Sequence, residues 1–183
     1  MTMKTVSTEI VLNRLIYDPV IDVLSDLQPH SLGEIAGIVG SRNVGLRQVL
    51  DAVKMLVGSG HAAPVQDESG AHAAASSAAL NHHLIAQAAQ AGGDIEHLAS
   101  PVTGGGVPAD RIQQLFMLAV LKQQQNPEEI VDFVWRHVSK LDKKLMKDSE
   151  PVEDEYAVRD ELRTQAMRFF VERLPLLQAL QVI

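Results

Sequence analysis

The chain has no cysteine, which removes disulfides and thiolate metal sites from consideration. It has few aromatics, 4% against 46% hydrophobic residues overall, so any core must be built from Leu, Val, Ile and Ala. That composition favours helices. It has no basic excess: the net charge is −7, and both portions are acidic. Residues 1–75 carry 5 Lys+Arg against 8 Asp+Glu, and residues 76–183 carry 11 against 15. Counterion release from phosphates needs clustered Lys and Arg, so the balance disfavours a dedicated nucleic-acid partner. No uncharged apolar run approaches the roughly 18 residues that a membrane span needs. The start, MTMKTVSTEIVLNRL, has no apolar stretch of signal-peptide type. The expectation is a cytoplasmic protein without a membrane partner, and 183 residues suffice for one ordinary domain or two small ones.

What is present reads as mainly α: a winged-helix-like domain over residues 1–75 with a small β wing, and a bundle of long helices over 76–183. Residues 1–10 look frayed. Apolar residues then recur at helical spacing from Ile10 to Leu27, with Asp18-Pro19 as an internal start signal. Leu15, Ile16, Val20, Val23, Leu24 and Leu27 form the expected buried stripe. Ser31-Leu32-Gly33-Glu34 has capping-box spacing and opens a short helix. A turn over Gly40–Asn43 leads to a longer helix over about 44–57, ended by Gly58 and Gly60. His61–Gln66 follows as the expected strand, with Asp67–Gly70 as the tip of a wing. Residues 70–79 read as a linker or a helical approach to Leu80–Gln90, which Gly92-Gly93 ends.

Leu98–Pro108, LASPVTGGGVP, is uncharged and rich in Gly and Pro, and reads as a hinge between blocks. Its hinge or contact residues are Ser100, Pro101, Gly104, Gly105, Gly106 and Pro108. Pro108 is expected just inside the next helix, which packs through Ile112, Leu115, Phe116, Leu118, Ala119 and Leu121. Asn126-Pro127-Glu128-Glu129 stops that helix and starts another, burying Ile130, Phe133, Val134, Val138, Leu141 and Leu145. A last helix runs from about Val152 to Phe170. Pro175 interrupts it before an apolar tail, LPLLQALQVI, which must dock on its own chain or on a partner.

Each chemical candidate has a plainer reading. Gly104–Ala109 fits G-x-G-x-x-A, but no βαβ unit surrounds it, and a phosphate loop requires one. His82 and His83 are adjacent, so on a helix they point about 100° apart and make a poor joint metal site, even with His61 or His72 added. Glu153-Asp154-Glu155 and Asp160-Glu161 suit a solvated helix start. Arg136, Arg159, Arg163, Arg168 and Arg173 read as helix-surface charges with acidic neighbours. Arg42, Arg47 and Lys54 would be the phosphate-facing residues of a recognition helix, yet Asp51 shares it. No catalytic residue, metal ligand or cofactor site is identified.

Leu98–Pro108, L-A-S-P-V-x-G-x-G-V-P, and Arg168–Leu180, R-F-F-x-x-x-L-P-L-L-x-x-L, resemble the carboxyl-terminal portion of bacterial methyltransferases that carry a methyltransferase regulatory domain. Leu56–Val65 and Asn81 add weaker matches, so the resemblance covers most of residues 15–183. It implies a non-catalytic regulatory or substrate-recognition module acting by protein–protein contacts. Its partner would be a methyltransferase catalytic domain or a protein substrate. S-adenosylmethionine would be bound by that separate domain, since its glycine-rich signature is absent here. The alternative is a winged-helix transcriptional regulator with a helical dimerisation half. A third reading is a small-molecule enzyme using a cleft between the halves. A homo-oligomer is left open. An accessory module should expose an apolar patch, and a DNA-binding regulator a positive stripe over 42–54.

Overall fold

A computed structural model describes residues 2–4, 9–66, 73–90, 95–124, 126–139, 146–147, 150–151 and 154–183. It is mainly helical, and its packing falls into two compact units, Met1–Val65 and Gln66–Ile183. Among the described residues, no helix is long and apolar enough to cross a membrane.

In the first unit, the segment expected to fray pairs instead. Strands β1 (Thr2–Lys4) and β2 (Glu9–Val11) are antiparallel, with Met3 opposite Ile10. Helix α1 (Arg14–Leu24) starts earlier than the Asp18-Pro19 signal implied, because the Asn13 side chain accepts the Leu15 amide at 3.1 Å and caps it. Pro19 lies inside the helix and is buried. Its missing N–H leaves the Leu15 carbonyl without a helical partner; Leu15 is 80% exposed, so water can reach that end. The expected stripe is corrected accordingly: Val20 is fully buried, while Leu15 and Leu27 face solvent.

The capping box forms as the spacing predicts. Ser31 Oγ accepts the Glu34 amide at 3.2 Å, and Glu34 accepts the Ser31 amide at 2.7 Å, opening α2 (Leu32–Val39). A 3₁₀ turn over Gly40–Arg42 follows, and Asn43 takes a left-handed conformation at φ 61°. Helix α3 (Leu46–Gly58) then lays Val49, Ala52 and Leu56 against Val20, Ile35 and Val39. Its end is shaped by Gly60, whose φ of 76° is costly for other residues. No strand forms over His61–Gln66: the chain bends there, and Pro64 lacks a ladder donor. The expected wing tip, Asp67–Gly70, lies outside the described residues.

In the second unit the small-residue run is helical from Ala74 on, in α4 (Ala74–Ala88), and residues 70–72 lie outside the described residues. The expected terminator Gly92-Gly93 lies outside the described residues. The stretch read as a hinge is instead an antiparallel hairpin inside this unit, β3 (His97–Ser100) with β4 (Gly105–Pro108). Leu98 sits opposite Val107, and both are buried, as is Pro101. Gly104, at φ 69°, returns its amide to the Ser100 carbonyl at 2.9 Å and closes the turn. Gly106 leaves room for its partner strand, since a Cβ there would lie 3.2 Å from His97 Cβ. Pro108 therefore ends a strand. Helix α5 (Arg111–Leu121) is capped by Asp110, whose side chain accepts the Gln113 amide at 2.8 Å.

Asn126 caps α6 (Pro127–Val138) through the Glu128 amide at 3.0 Å, with Pro127 at its start. Ile130, Phe133, Val134 and Val138 are buried as expected, and Leu141 and Leu145 lie outside the described residues. A short pairing of β5 (Met146–Lys147) with β6 (Glu150–Pro151) precedes α7 (Glu155–Arg168), which Asp154 caps through Ala157. Pro175 does not end the helical path. A π-helical turn over Phe169–Arg173 joins α7 to α8 (Leu174–Ala179), and the Leu174 amide donates to the Phe169 carbonyl five residues back. The apolar tail docks on its own unit: Leu177 and Val182 are buried in the core with Leu115, Phe116 and Leu162.

Candidate functional site

Of the residues singled out by the resemblance, Asn81, Ser100 and the tail meet in the interior of the second unit, whereas Leu56–Val65 lies in the first. Asn81, fully buried on α4, donates to the Ala99 carbonyl at 2.8 Å and to the Val182 carbonyl at 2.9 Å, and accepts the Ala99 amide at 2.8 Å. Ser100 Oγ donates to the Leu180 carbonyl at 2.7 Å and accepts the Thr103 amide at 3.2 Å. One buried polar junction thus ties α4, β3 and the tail, with donors and acceptors matched. Two arginines extend it. Arg111 donates to the Ala88 and Gln90 carbonyls at the end of α4, at 2.9 and 2.6 Å. Arg173, read from sequence as a surface charge, is half-buried and donates to the Pro108 carbonyl. Gln114, which no sequence signal marked, is buried and donates to the Ile95 and Ala109 carbonyls at 2.6 and 2.8 Å. Ser100, Pro101, Gly104, Gly105, Gly106 and Pro108 belong to this scaffold, as part of the hairpin.

The glycine run does not have the setting of a nucleotide loop. Gly105–Pro108 continues as a strand, and α5 begins only at Arg111, so no glycine loop opens directly onto a helix amino terminus. Among the described residues no group of His, Asp and Glu is placed to hold a metal ion. His82 and His83 are exposed, His83 contacts Gln87 at 2.9 Å, and His61 contacts Ser59 at 3.1 Å. Asp154 is a helix cap, Glu155 pairs with Arg159 at 3.2 Å, and Glu161 accepts from Gln165 at 2.9 Å; His72 and Glu153 lie outside the described residues. On α3, Arg47 and Lys54 are exposed with Asp51 between them, whereas Arg42 is held by Asp22 at 2.9 Å.

Large apolar side chains stand in solvent along α7 and the π turn, as Leu15, Ile38 and Leu46 do in the first unit. Tyr156, Met167 and Val171 are 84, 69 and 75% exposed, spaced so that Met167 and Val171 stack one turn apart. Beside them runs an apolar groove of about 910 Å³ between α6, α7 and the π turn, lined by Val120, Ile130, Ala166, Phe170 and Leu174 among others. The π turn shapes it. Phe169 turns inward against Phe116, with ring centroids 5.4 Å apart, while neighbouring Phe170 and Val171 line the groove. Pro175 has no N–H to give the Val171 carbonyl, and Val171 is an exposed residue.

Two arginines of α7 pair with carboxylates beside the groove. Arg163 grips both Glu128 oxygens, at 2.8 and 2.9 Å, and Arg159 bridges Asp132 at 2.7 Å and Glu155. The Arg163 hydrogen bonds hold the Glu128 carboxyl below its ordinary range. A depressed carboxylate pKa contributes stability above the unfolded value and loses it as pH falls through the folded one. In an NMR titration the Glu128 carboxyl should therefore show its midpoint below 4.5, and Arg163→Ala should move it upward. An unmoved midpoint would show that the pair does not form in solution. A second hollow, of about 520 Å³ at the start of α5, is lined by three carboxylates, Asp110, Glu161 and Glu172, against two guanidiniums, Arg168 and Arg173.

Compared with known proteins, the chain is 27% identical over 174 residues to an uncharacterized protein of Synechocystis sp., an alignment covering 95% of this chain and 33% of that relative. The chain therefore spans about a third of the length of the curated relative it matches. No protein-family model matches the chain, and no solved structure does.

Proposed function

We propose that this chain is a non-catalytic regulatory or substrate-recognition module of a methyltransferase that uses S-adenosylmethionine, and that it works through protein–protein contacts. The observation that carries the reading is the outer face of α7. Large apolar side chains stand in solvent beside an apolar groove, with their charged neighbours already paired. An apolar patch of this kind marks a docking surface more often than a catalytic one, and a π turn is a frequent companion of functional surfaces. Further support comes from the Synechocystis relative, in which the matched region is about a third of a longer chain. That proportion suits a module working beside other segments. In this reading the cofactor is held by a separate catalytic domain, and the junction around Asn81 and Ser100 only keeps the docking face in shape. We read the first unit as winged-helix-like and used for protein contacts.

The transcriptional alternative draws on exposed Arg47 and Lys54. It gains less from Arg42, already paired with Asp22, and from Asp51 on the same helix. The test is to purify the tagged chain from its host and assay what accompanies it for S-adenosylmethionine binding. The module reading expects a companion that binds S-adenosylmethionine or is methylated. Tight, salt-sensitive DNA binding with no such companion would contradict it and favour the alternative.

A further inference from the structure

The π turn leaves two opposite charges unpaired on one hollow. Arg168 and Glu172 are four residues apart, a spacing at which an α-helix brings side chains together. The turn over Phe169–Arg173 instead closes five residues back and widens the step between them. Among the described residues neither side chain has an ion pair or hydrogen bond, and both line the 520 Å³ hollow at the start of α5.

The same hollow gathers orphaned polar atoms. Three buried side-chain polar atoms among the described residues have no hydrogen-bond partner, and two of them belong to its lining. They are Gln113 Oε1, an acceptor, and Arg173 Nε, a donor. Such atoms are costly to leave unmatched away from water. Arg173 is anchored beside the hollow, since its Nη2 donates to the Pro108 carbonyl. The other two carboxylates are engaged: Asp110 caps α5 through the Gln113 amide, and Glu161 accepts from Gln165. One anion, one exposed cation, one donor and one acceptor are left open, beside the apolar side chains of Ile112, Phe116 and Leu176.

We propose that this hollow binds a free α-amino acid with an apolar side chain. The ligand carboxylate faces Arg168 and Arg173 Nε, its ammonium faces Glu172 and Gln113 Oε1, and its side chain lies on the apolar wall. A zwitterion matches all four groups at once. A simple anion leaves Glu172 opposed, and a simple cation leaves the arginines opposed. The two orphaned atoms are closed to solvent, so the ligand meets them by rotation of the Gln113 and Arg173 side chains into the hollow. The volume lies within the range of small-molecule sites.

Titration calorimetry of the full-length chain with L-leucine should saturate at one ligand per chain, with a dissociation constant below about 1 mM. Arg168→Gln and Glu172→Gln should each weaken binding about 10-fold or more, as losing a charged hydrogen bond does. Both replaced side chains are exposed, so melting temperatures should stay within a few degrees of the unaltered chain. Arg136→Gln on α6, whose guanidinium bonds the Asp132 carbonyl away from the hollow, should leave binding unchanged. Leucinamide keeps the ammonium without the carboxylate, and 4-methylpentanoate keeps the carboxylate without the ammonium; each should bind about 10-fold or more weakly than leucine. If ordered water alone fills the hollow, leucine, methionine and phenylalanine give no saturable heat up to about 10 mM, and the proposal fails. Equal binding of either analogue, or leucine binding that ignores both Arg168→Gln and Glu172→Gln, also overturns it.

Discussion

Removing Leu174–Ile183 should abolish the cooperative unfolding of the second unit. The tail supplies two fully or almost fully buried side chains, Leu177 and Val182, to the core around Leu115, Phe116 and Leu162. Truncating Leu177 alone to alanine should cost about 2–5 kcal/mol, the usual range for a buried leucine. The whole deletion also strips the acceptors from Asn81 and Ser100, which bond the Val182 and Leu180 carbonyls. A domain stable by roughly 5–15 kcal/mol does not survive both losses. Calorimetry reads this directly. At about 0.7 kcal/mol per residue, the deleted residues themselves account for roughly 7 kcal/mol of unfolding enthalpy, whereas losing the fold over residues 66–183 removes roughly 80. An enthalpy lowered by only the smaller figure would mean that the tail is a docking peptide rather than core.

Asn81→Leu should be the most damaging single substitution, at about 3–5 kcal/mol, because three hydrogen bonds fail at once in a site closed to water. Leucine is close in volume, so the loss is not mainly a cavity. It comes from the Ala99 amide and carbonyl and the Val182 carbonyl, left buried without partners. Urea unfolding should show the midpoint falling with the slope unchanged. A cost under about 1 kcal/mol would mean that neighbouring groups re-pair and that the junction is not the tie between α4, β3 and the tail.

Local signals were the legible ones. The Ser31–Glu34 box and the Asn126-Pro127 start each form where their spacing predicts, because a cap is written within four residues. The hairpin at 97–108 was not legible as such, since glycine and proline mark hairpin turns and flexible links alike. Only the opposition of Leu98 to Val107 separates them, and that is a pairing across the turn. Pro19 and Pro175 misled for the opposite reason: each sits in a helical path where the orphaned carbonyl, of Leu15 and of Val171, belongs to an exposed residue. Asn81 stood out only by resemblance, because its partners lie 18 and 101 residues away. The exposed apolar face was hidden for a related reason. Met167 and Val171 look like any apolar helix positions until the packing of α6 and the π turn shows which side of α7 is covered. Arg163 likewise finds Glu128, 35 residues away, rather than a neighbour on its own helix.

In the proposed function the Asn81–Ser100 junction is scaffold and the α7 face is the docking surface. The measurement that tests it most directly pairs the melting temperature of Met167→Glu with the companion protein that the variant retains. The melting temperature should stay within a few degrees of the unaltered chain, as for a surface substitution, while the S-adenosylmethionine-binding companion is lost. A variant that melts normally and keeps that companion would contradict the claim.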